Sequence, residues 1–138
     1  MDKTWIVILV LVFFAVDLVI AFLILYRRFK RSGLKPEELQ YIKSHWIRII
    51  DSFKSHPKEA ILDADKLLDY ALGKKGLQGN LGEKLKQAKG RFTDINQVWN
   101  AHKLRNKIAH ELMEIDIGEA KMALAQFKRG LNDLGAML

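Results

Sequence analysis

The chain contains no cysteine and only two prolines, and no segment sustains an alternation of polar and apolar residues. The lack of cysteine excludes disulfides and thiolate metal sites. The lack of alternation, together with few β-branched residues beyond the N-terminal apolar run, argues against a β-sheet. Apolar residues instead recur at spacings of three and four, which predicts an all-α protein.

The longest apolar run lies at the N-terminus, where residues 5–26 carry a single charged side chain, Asp17. A helix of this length is about 33 Å long, enough to cross a hydrocarbon core of about 30 Å. The run is longer than the apolar core of a cleavable signal peptide, and Arg27 and Arg28 follow it where a small-residue cleavage site would be needed. We therefore expect an uncleaved, single-pass membrane anchor.

Asp17 is the unusual residue of this run, because a carboxylate near the middle of a bilayer is costly unless it is protonated or paired. Two interpretations stay open. The acid joins two or more spans through a polar contact, or it is a tolerated neutral acid on a single helix.

Positive charge is concentrated just after the span and accounts for much of the formal net charge of +7. Only Lys3 and the amino terminus precede the span. The positive-inside tendency therefore predicts a protein of the cell membrane whose C-terminal domain faces the cytoplasm. The excess of positive charge is therefore mainly a feature of the membrane surface, where it is consistent with attraction to anionic lipid. The residues of this basic cluster are Arg27, Arg28, Lys30, Arg31 and Lys35.

The rest of the chain reads as a series of amphipathic helices. The glycine-rich segment 73–82 is a linker rather than a phosphate-binding loop, because no strand precedes it and no Gly-Lys-Ser/Thr follows. We predict an antiparallel four-helix bundle with one short extra helix. The domain boundaries follow as an anchor with its basic cluster at 1–31, a hinge at 32–36 and the helical bundle at 37–138. We expect the short helix at about 81–89, the next helix from Thr93 or Asp94 to about Met113, and the last helix from a capping box at 116–119 to the C-terminus.

The stretch Leu104-Arg105-Asn106-Lys107-Ile108-Ala109-His110-Glu111 carries the most specific signal. A helical wheel centres the apolar face on Ile95, Val98, Trp99, Ala109 and Met113, with His102 and Asn106 inside the apolar sector, Arg105 on its flank and His110 at its edge. A buried polar group costs about 1–3 kcal/mol when it is unpaired, so these side chains need partners or a function. Asn106 could bond His110, and Arg105 could pair with Asp65 or Asp69.

An arginine, a polar residue, three further residues and a histidine resemble the motif of the ribonucleases of the HEPN family (higher eukaryotes and prokaryotes nucleotide-binding). The resemblance implies a four-helix bundle that often dimerises and cuts RNA without metal, with the 2′-hydroxyl as nucleophile. Carried onto this chain, His110 would be the general acid–base, Arg105 would stabilise the phosphate, and Asn106 would orient His110 or the phosphate. By family implication the protein would be a toxin or defence effector, although no antitoxin or regulatory partner can be identified.

The spacing of the motif favours a homodimer. Arg105 and His110 are five residues apart, about 140° around a helix, so one copy does not aim both side chains at one point. Two copies across a two-fold axis would form a shared cleft.

Asp65 and His102 are candidates for tuning Arg105 or His110. Lysines that could steer RNA are Lys84, Lys86, Lys103 and Lys107.

Two other interpretations remain. His102, Asn106 and His110 lie one turn apart, as metal ligands can, but asparagine is a poor zinc ligand and no thiol completes the set, so we expect neither metal nor other cofactor. The alternative function is a non-catalytic nucleotide-binding, protein-binding or dimerisation module at the membrane.

Overall fold

The structure, a computed structural model, describes residues 3–30, 33–112 and 114–138, with side chains for all of these except 27–30. Within these ranges the chain is entirely helical and contains no strand, which confirms the predicted class. Two compact units, Met1–Gly33 and Leu34–Leu138, are described one at a time. The helices are α1 (Lys3–Lys30), α2 (Pro36–Ser52), α3 (Pro57–Lys74), α4 (Leu81–Gln87), α5 (Ile95–His110) and α6 (Ile117–Asp133), with a 3₁₀ turn at Lys89–Arg91.

The first unit is the single helix α1. Its Lys3–Tyr26 portion is long and apolar enough to cross a membrane. With 24 residues it measures about 36 Å. Every side chain in this portion is exposed, Asp17 included. The side chains of Arg27, Arg28 and Lys30 and all of Arg31 lie outside the described residues, as does Ser32 of the predicted hinge.

The first two helices of the second unit begin at prolines. Pro36 occupies the first turn of α2, as its position predicted, and Glu38 accepts a hydrogen bond from the Lys35 amide at 2.8 Å. Pro57 opens α3 in the same way. At the end of α3, Gly76 adopts a φ of 84°, and the amide of Leu77 bonds back into the last turn. This left-handed cap ends the helix at little steric cost because glycine lacks a Cβ.

Three helix ends differ from the sequence-based expectation. The short helix α4 stops at Gln87 and continues as the 3₁₀ turn. The helix α5 stops at His110, three residues earlier than predicted. The last helix stops at Asp133 rather than at the C-terminus, because Gly135, with a φ of 97°, forms a second left-handed cap. In that cap the amide of Ala136 bonds to the carbonyl of Leu131 at 3.0 Å.

The core of the second unit surrounds α3, which packs against α2, α4, α5 and α6, while α5 also packs against α6. One face of α3 is therefore buried along almost its whole length. An acid, Asp65, lies among these buried side chains. The largest fully buried side chains of the unit are Phe127, Ile42, Ile61, Leu68, Leu72, Leu85, Leu131, Leu134 and Val98.

Candidate functional site

The helix α5 carries the candidate motif. Asp94 caps its N-terminus, with a carboxylate oxygen accepting hydrogen bonds from the amides of Asn96 and Gln97. Such caps stabilise a helix by about 1 kcal/mol. At the other end His110 is the last helical residue, and the amide of Glu111 bonds to the carbonyl of Lys107 at 2.8 Å. The motif therefore occupies the last two turns of the helix.

The buried face of α5 agrees with the predicted one only in part. The wheel centred it on Ile95, Val98, Trp99, Ala109 and Met113. Val98 is buried as predicted, but Ala109 is exposed, Ile95 and Trp99 are half-buried, and Met113 lies outside the described residues. The prediction was wrong for these residues because a wheel ranks positions by the apolar residues of the helix alone, whereas contact with α3 and α6 decides which side is buried. The buried residues are Val98, Ala101, Leu104 and Ile108.

Four polar side chains form a closed ring between α3 and α5. Asp65 is buried, and its Oδ1 lies 2.7 Å from Nδ1 of His102. The Nε2 atom of His102 lies 3.3 Å from Nδ2 of Asn106. Asn106 accepts a hydrogen bond from Nη1 of Arg105 through Oδ1 at 3.0 Å. The ring closes where Nε of Arg105 approaches Oδ2 of Asp65 at 3.1 Å.

The ring assigns a role to each polar atom. Because the Asp65 carboxylate accepts, the consistent tautomer of His102 donates through Nδ1 and accepts at Nε2. The amide of Asn106 must then donate to His102 and accept from Arg105, which fixes its orientation. A closed network of this kind restrains every member, since turning one side chain leaves a neighbour unpaired.

Arg105 has the least complete set of hydrogen bonds in the ring. Its Nε is fully buried and close enough to Asp65 for an ion pair, yet it lacks the alignment of a hydrogen bond. The ion pair holds without that hydrogen bond, because Coulombic attraction depends on distance far more than on angle. The Arg105 side chain remains 28% exposed, against 6% for Asp65. A guanidinium has five N–H donors, so Arg105 retains capacity for a further acceptor.

His110 lies outside the ring. It is exposed and makes no hydrogen bond or ion pair with a described residue. The expected Asn106–His110 hydrogen bond is absent because the Asn106 amide is engaged by His102, one turn towards the N-terminus, and by Arg105. Helical side chains lean in that direction, which favours the partner four residues earlier.

The four candidate lysines differ in their surroundings. Lys84 is buried and pairs with Asp69 at 2.9 Å, so its charge is balanced inside the fold and Asp69 is not the partner of Arg105. Lys86, Lys103 and Lys107 are exposed. The burial of Lys84 could have been predicted from the sequence, because Lys84 falls in the apolar stripe formed by Leu81, Leu85 and Ala88.

In the ranges 3–30, 33–112 and 114–138, no three histidine, aspartate or glutamate side chains cluster in a way that could hold a metal ion. His102 and Asn106 are committed to each other and to the ring. No family model, no curated protein and no solved structure matches this chain. A functional interpretation therefore depends on the side-chain arrangement alone.

Proposed function

We propose that this chain is a membrane-anchored, HEPN-like endoribonuclease that cuts RNA without metal at a site shared by two copies of its four-helix bundle. The observation that carries the proposal is the contrast within α5. Arg105 is held by a buried network, whereas His110, at the end of the same helix, is exposed and free of described partners. A restrained cation from one copy and an unengaged histidine from a second copy, brought to one cleft, would suit phosphate chemistry.

Arg105 would bind the scissile phosphate. Its unused N–H groups match two phosphate oxygens, and such charge-assisted hydrogen bonds are roughly twice as strong as neutral ones. The ring through Asp65, His102 and Asn106 would keep the guanidinium in place before RNA arrives. A preorganised donor stabilises the five-coordinate phosphorus without having to reorganise during the reaction.

His110 would move the protons. As general base it would remove the proton of the 2′-hydroxyl, whose oxygen forms a new bond to phosphorus while the bond to the 5′-oxygen breaks. A second copy of His110 would return a proton to that leaving oxygen. The products are a 2′,3′-cyclic phosphate and a 5′-hydroxyl, so no water is consumed in this step. Histidine suits both roles because its charge changes closest to neutral pH.

The geometry of α5 supports a dimer as the working form. Arg105 and His110 diverge by about 140° around the helix, so they cannot converge within one copy. A two-fold axis beside the C-terminal turn of α5 would bring both pairs to one cleft. Exposed lysines near the motif, Lys103 and Lys107, and Lys86 on α4, would attract the RNA backbone.

The apolar helix α1 would keep this activity at the cell membrane, with the second unit in the cytoplasm, where RNA is found. The basic residues that follow the span support this orientation. A toxin or defence role would fit an RNA-cutting enzyme, and we keep it as part of the proposal.

The completeness of the ring favours a second candidate, a non-catalytic binding or dimerisation module. Asp65, His102 and Asn106 satisfy one another, as a purely structural network would. In that case Arg105 would serve folding alone and His110 would be an ordinary surface residue.

An RNA-cleavage assay distinguishes the ribonuclease from the non-catalytic module. It uses the full-length chain in detergent micelles, a structured RNA and EDTA. We expect cleavage by the wild-type chain and by His56→Ala, which removes an exposed histidine distant in sequence from the motif. His110→Ala and Arg105→Ala should both lose it, by about 100-fold or more for His110→Ala. Circular dichroism verifies that each variant is folded. Inert wild-type protein, or equal cleavage by wild type and His110→Ala, would favour the module.

A further inference from the structure

A pocket of about 410 Å³ lies between α2 and α3. It falls in the size range of small-molecule sites, which begins at about 300 Å³. It uses residues of α3 other than Asp65, because Asp65 points towards α5. None of the motif residues Arg105, Asn106 and His110 lines it.

Three aromatic rings form a stack along one wall of the pocket. The rings of Tyr41 and His45 lie 3.7 Å apart between centroids, and those of Tyr41 and Tyr70 lie 4.3 Å apart, with interplanar angles of 26° and 30°. Nδ1 of His45 lies 2.8 Å from the carbonyl oxygen of Tyr41, which fixes the imidazole orientation. Lys74 covers the Tyr70 ring at 5.3 Å. His45, the other end of the stack, lines the pocket and is half-buried.

The same pocket carries positive charge. Arg48, one turn after His45, is exposed and makes no ion pair or hydrogen bond with a described residue. Lys66 lies across from it on α3, and its only described partner, Asp63, is the single acid of the pocket lining. That pair is weak, since the side chains are 70% and 54% exposed. The Tyr70 hydroxyl adds no negative charge at neutral pH, since the ordinary pKa of tyrosine is about 10. Burial, then Glu38 and Tyr41, raise the pKa of Tyr70 further.

We propose that this pocket binds a nucleotide, with the base stacked on His45 and the phosphate held by Arg48 and Lys66. A nucleotide joins a planar base to an anionic phosphate, so it matches both the aromatic stack and the two cations of the pocket. A simple anion would leave the aromatic stack unused, and an apolar chain would leave the cations unpaired. Base–aromatic stacking tolerates any base, because every base has a π-face. The site does not depend on the ribonuclease proposal, because it uses none of the motif residues.

Calorimetric titration of the full-length chain in detergent micelles with adenosine 5′-monophosphate tests the proposal. We expect saturable binding that is at least tenfold weaker for inorganic phosphate and for adenosine. Arg48→Ala and Lys66→Ala should each weaken it by about tenfold, since each removes a charge-assisted contact. The matched control is Lys43→Ala, an exposed cation of α2 that does not line the pocket, and it should change affinity less than twofold.

A second set of titrations distinguishes a free nucleotide from a nucleotide within an RNA strand. A 2′-O-methyl oligonucleotide, which has no 2′-hydroxyl to act as nucleophile, presents the same chemistry within a strand. Strand binding that is tighter than mononucleotide binding and is weakened by Arg48→Ala and Lys66→Ala assigns the pocket to RNA. Mononucleotide binding that is tighter than strand binding assigns it to a free nucleotide. Absence of saturable mononucleotide and strand binding, equal affinity for inorganic phosphate, or equal weakening by Lys43→Ala would overturn the proposal.

Discussion

The substitution Asp65→Asn removes the charge from the centre of the polar ring while preserving its shape. Asp65 is buried, with 4% of the whole residue exposed, and contacts both His102 and Arg105. Loss of a hydrogen bond that involves a charged group costs about 1.5–3 kcal/mol, and breaking a buried ion pair costs about 3–5 kcal/mol. Because the Arg105 side chain is 28% exposed, water can solvate part of the orphaned charge. We therefore expect the free energy of unfolding to fall by about 2–4 kcal/mol.

The neighbouring acid of α3 supplies the matched control. Asp63 pairs with Lys66 at 3.3 Å, but both side chains are largely exposed. Asp63→Asn should therefore cost less than about 0.5 kcal/mol. Urea unfolding of the full-length chain in micelles measures both variants. The fluorescence of Trp46 and Trp99 reports on the second unit once Trp5 of α1 is replaced by phenylalanine.

The double variant Asp65→Asn/Arg105→Gln completes a thermodynamic cycle. If the two residues interact as the distances indicate, the double variant should be less destabilised than the sum of the single variants, by about 1 kcal/mol or more. Equal stability losses for Asp65→Asn and Asp63→Asn, or fully additive effects in the cycle, would refute the reasoning that the ring is a stabilising network.

Three further changes in stability follow, each measured by the same urea titration. Asn106→Ala removes two half-buried hydrogen bonds and should cost about 1–2 kcal/mol, whereas exposed Asn100→Ala should cost little; equal costs would contradict the ring. Asn80→Ala removes the capping box of α4 and should cost about 1 kcal/mol, so an unchanged midpoint would argue against the cap. Phe127→Ala empties a fully buried position and should cost about 3–5 kcal/mol, against less than about 0.5 kcal/mol for exposed Met122→Ala; similar values would contradict the described core.

Much of the fold could be predicted from local signals. Apolar spacing indicates each long helix, and the prolines at 36 and 57 mark two helix starts. The N-terminal run identifies α1 by length and composition. The ends were less predictable, because no glycine or proline directly follows His110, and the α6 prediction gave too little weight to Gly135, whose left-handed cap stops that helix.

The candidate site was only partly predictable. The pairing of Arg105 with Asp65 was one of two options in the sequence, and the choice depends on which face of α3 meets α5. The position of Asp65 in the stripe of Ile61, Leu68 and Leu72 does indicate a buried acid. The hydrogen bond between Asn106 and His102 could not be selected in advance, because the wheel places histidines one turn away on both sides. The pocket between α2 and α3 has no local signal, since it arises from the contact of two helices.

The central claim is that His110 and Arg105 direct attack by the 2′-hydroxyl of RNA. The most direct measurement is the identity of the product ends, compared between an RNA and the same RNA with one 2′-O-methyl group at the mapped cut site. The account predicts that the full-length chain, with EDTA present, leaves a 2′,3′-cyclic phosphate and a 5′-hydroxyl, and that the methyl group abolishes the cut. Equal cutting of both RNAs, or no cutting of either by folded wild-type protein, would contradict it.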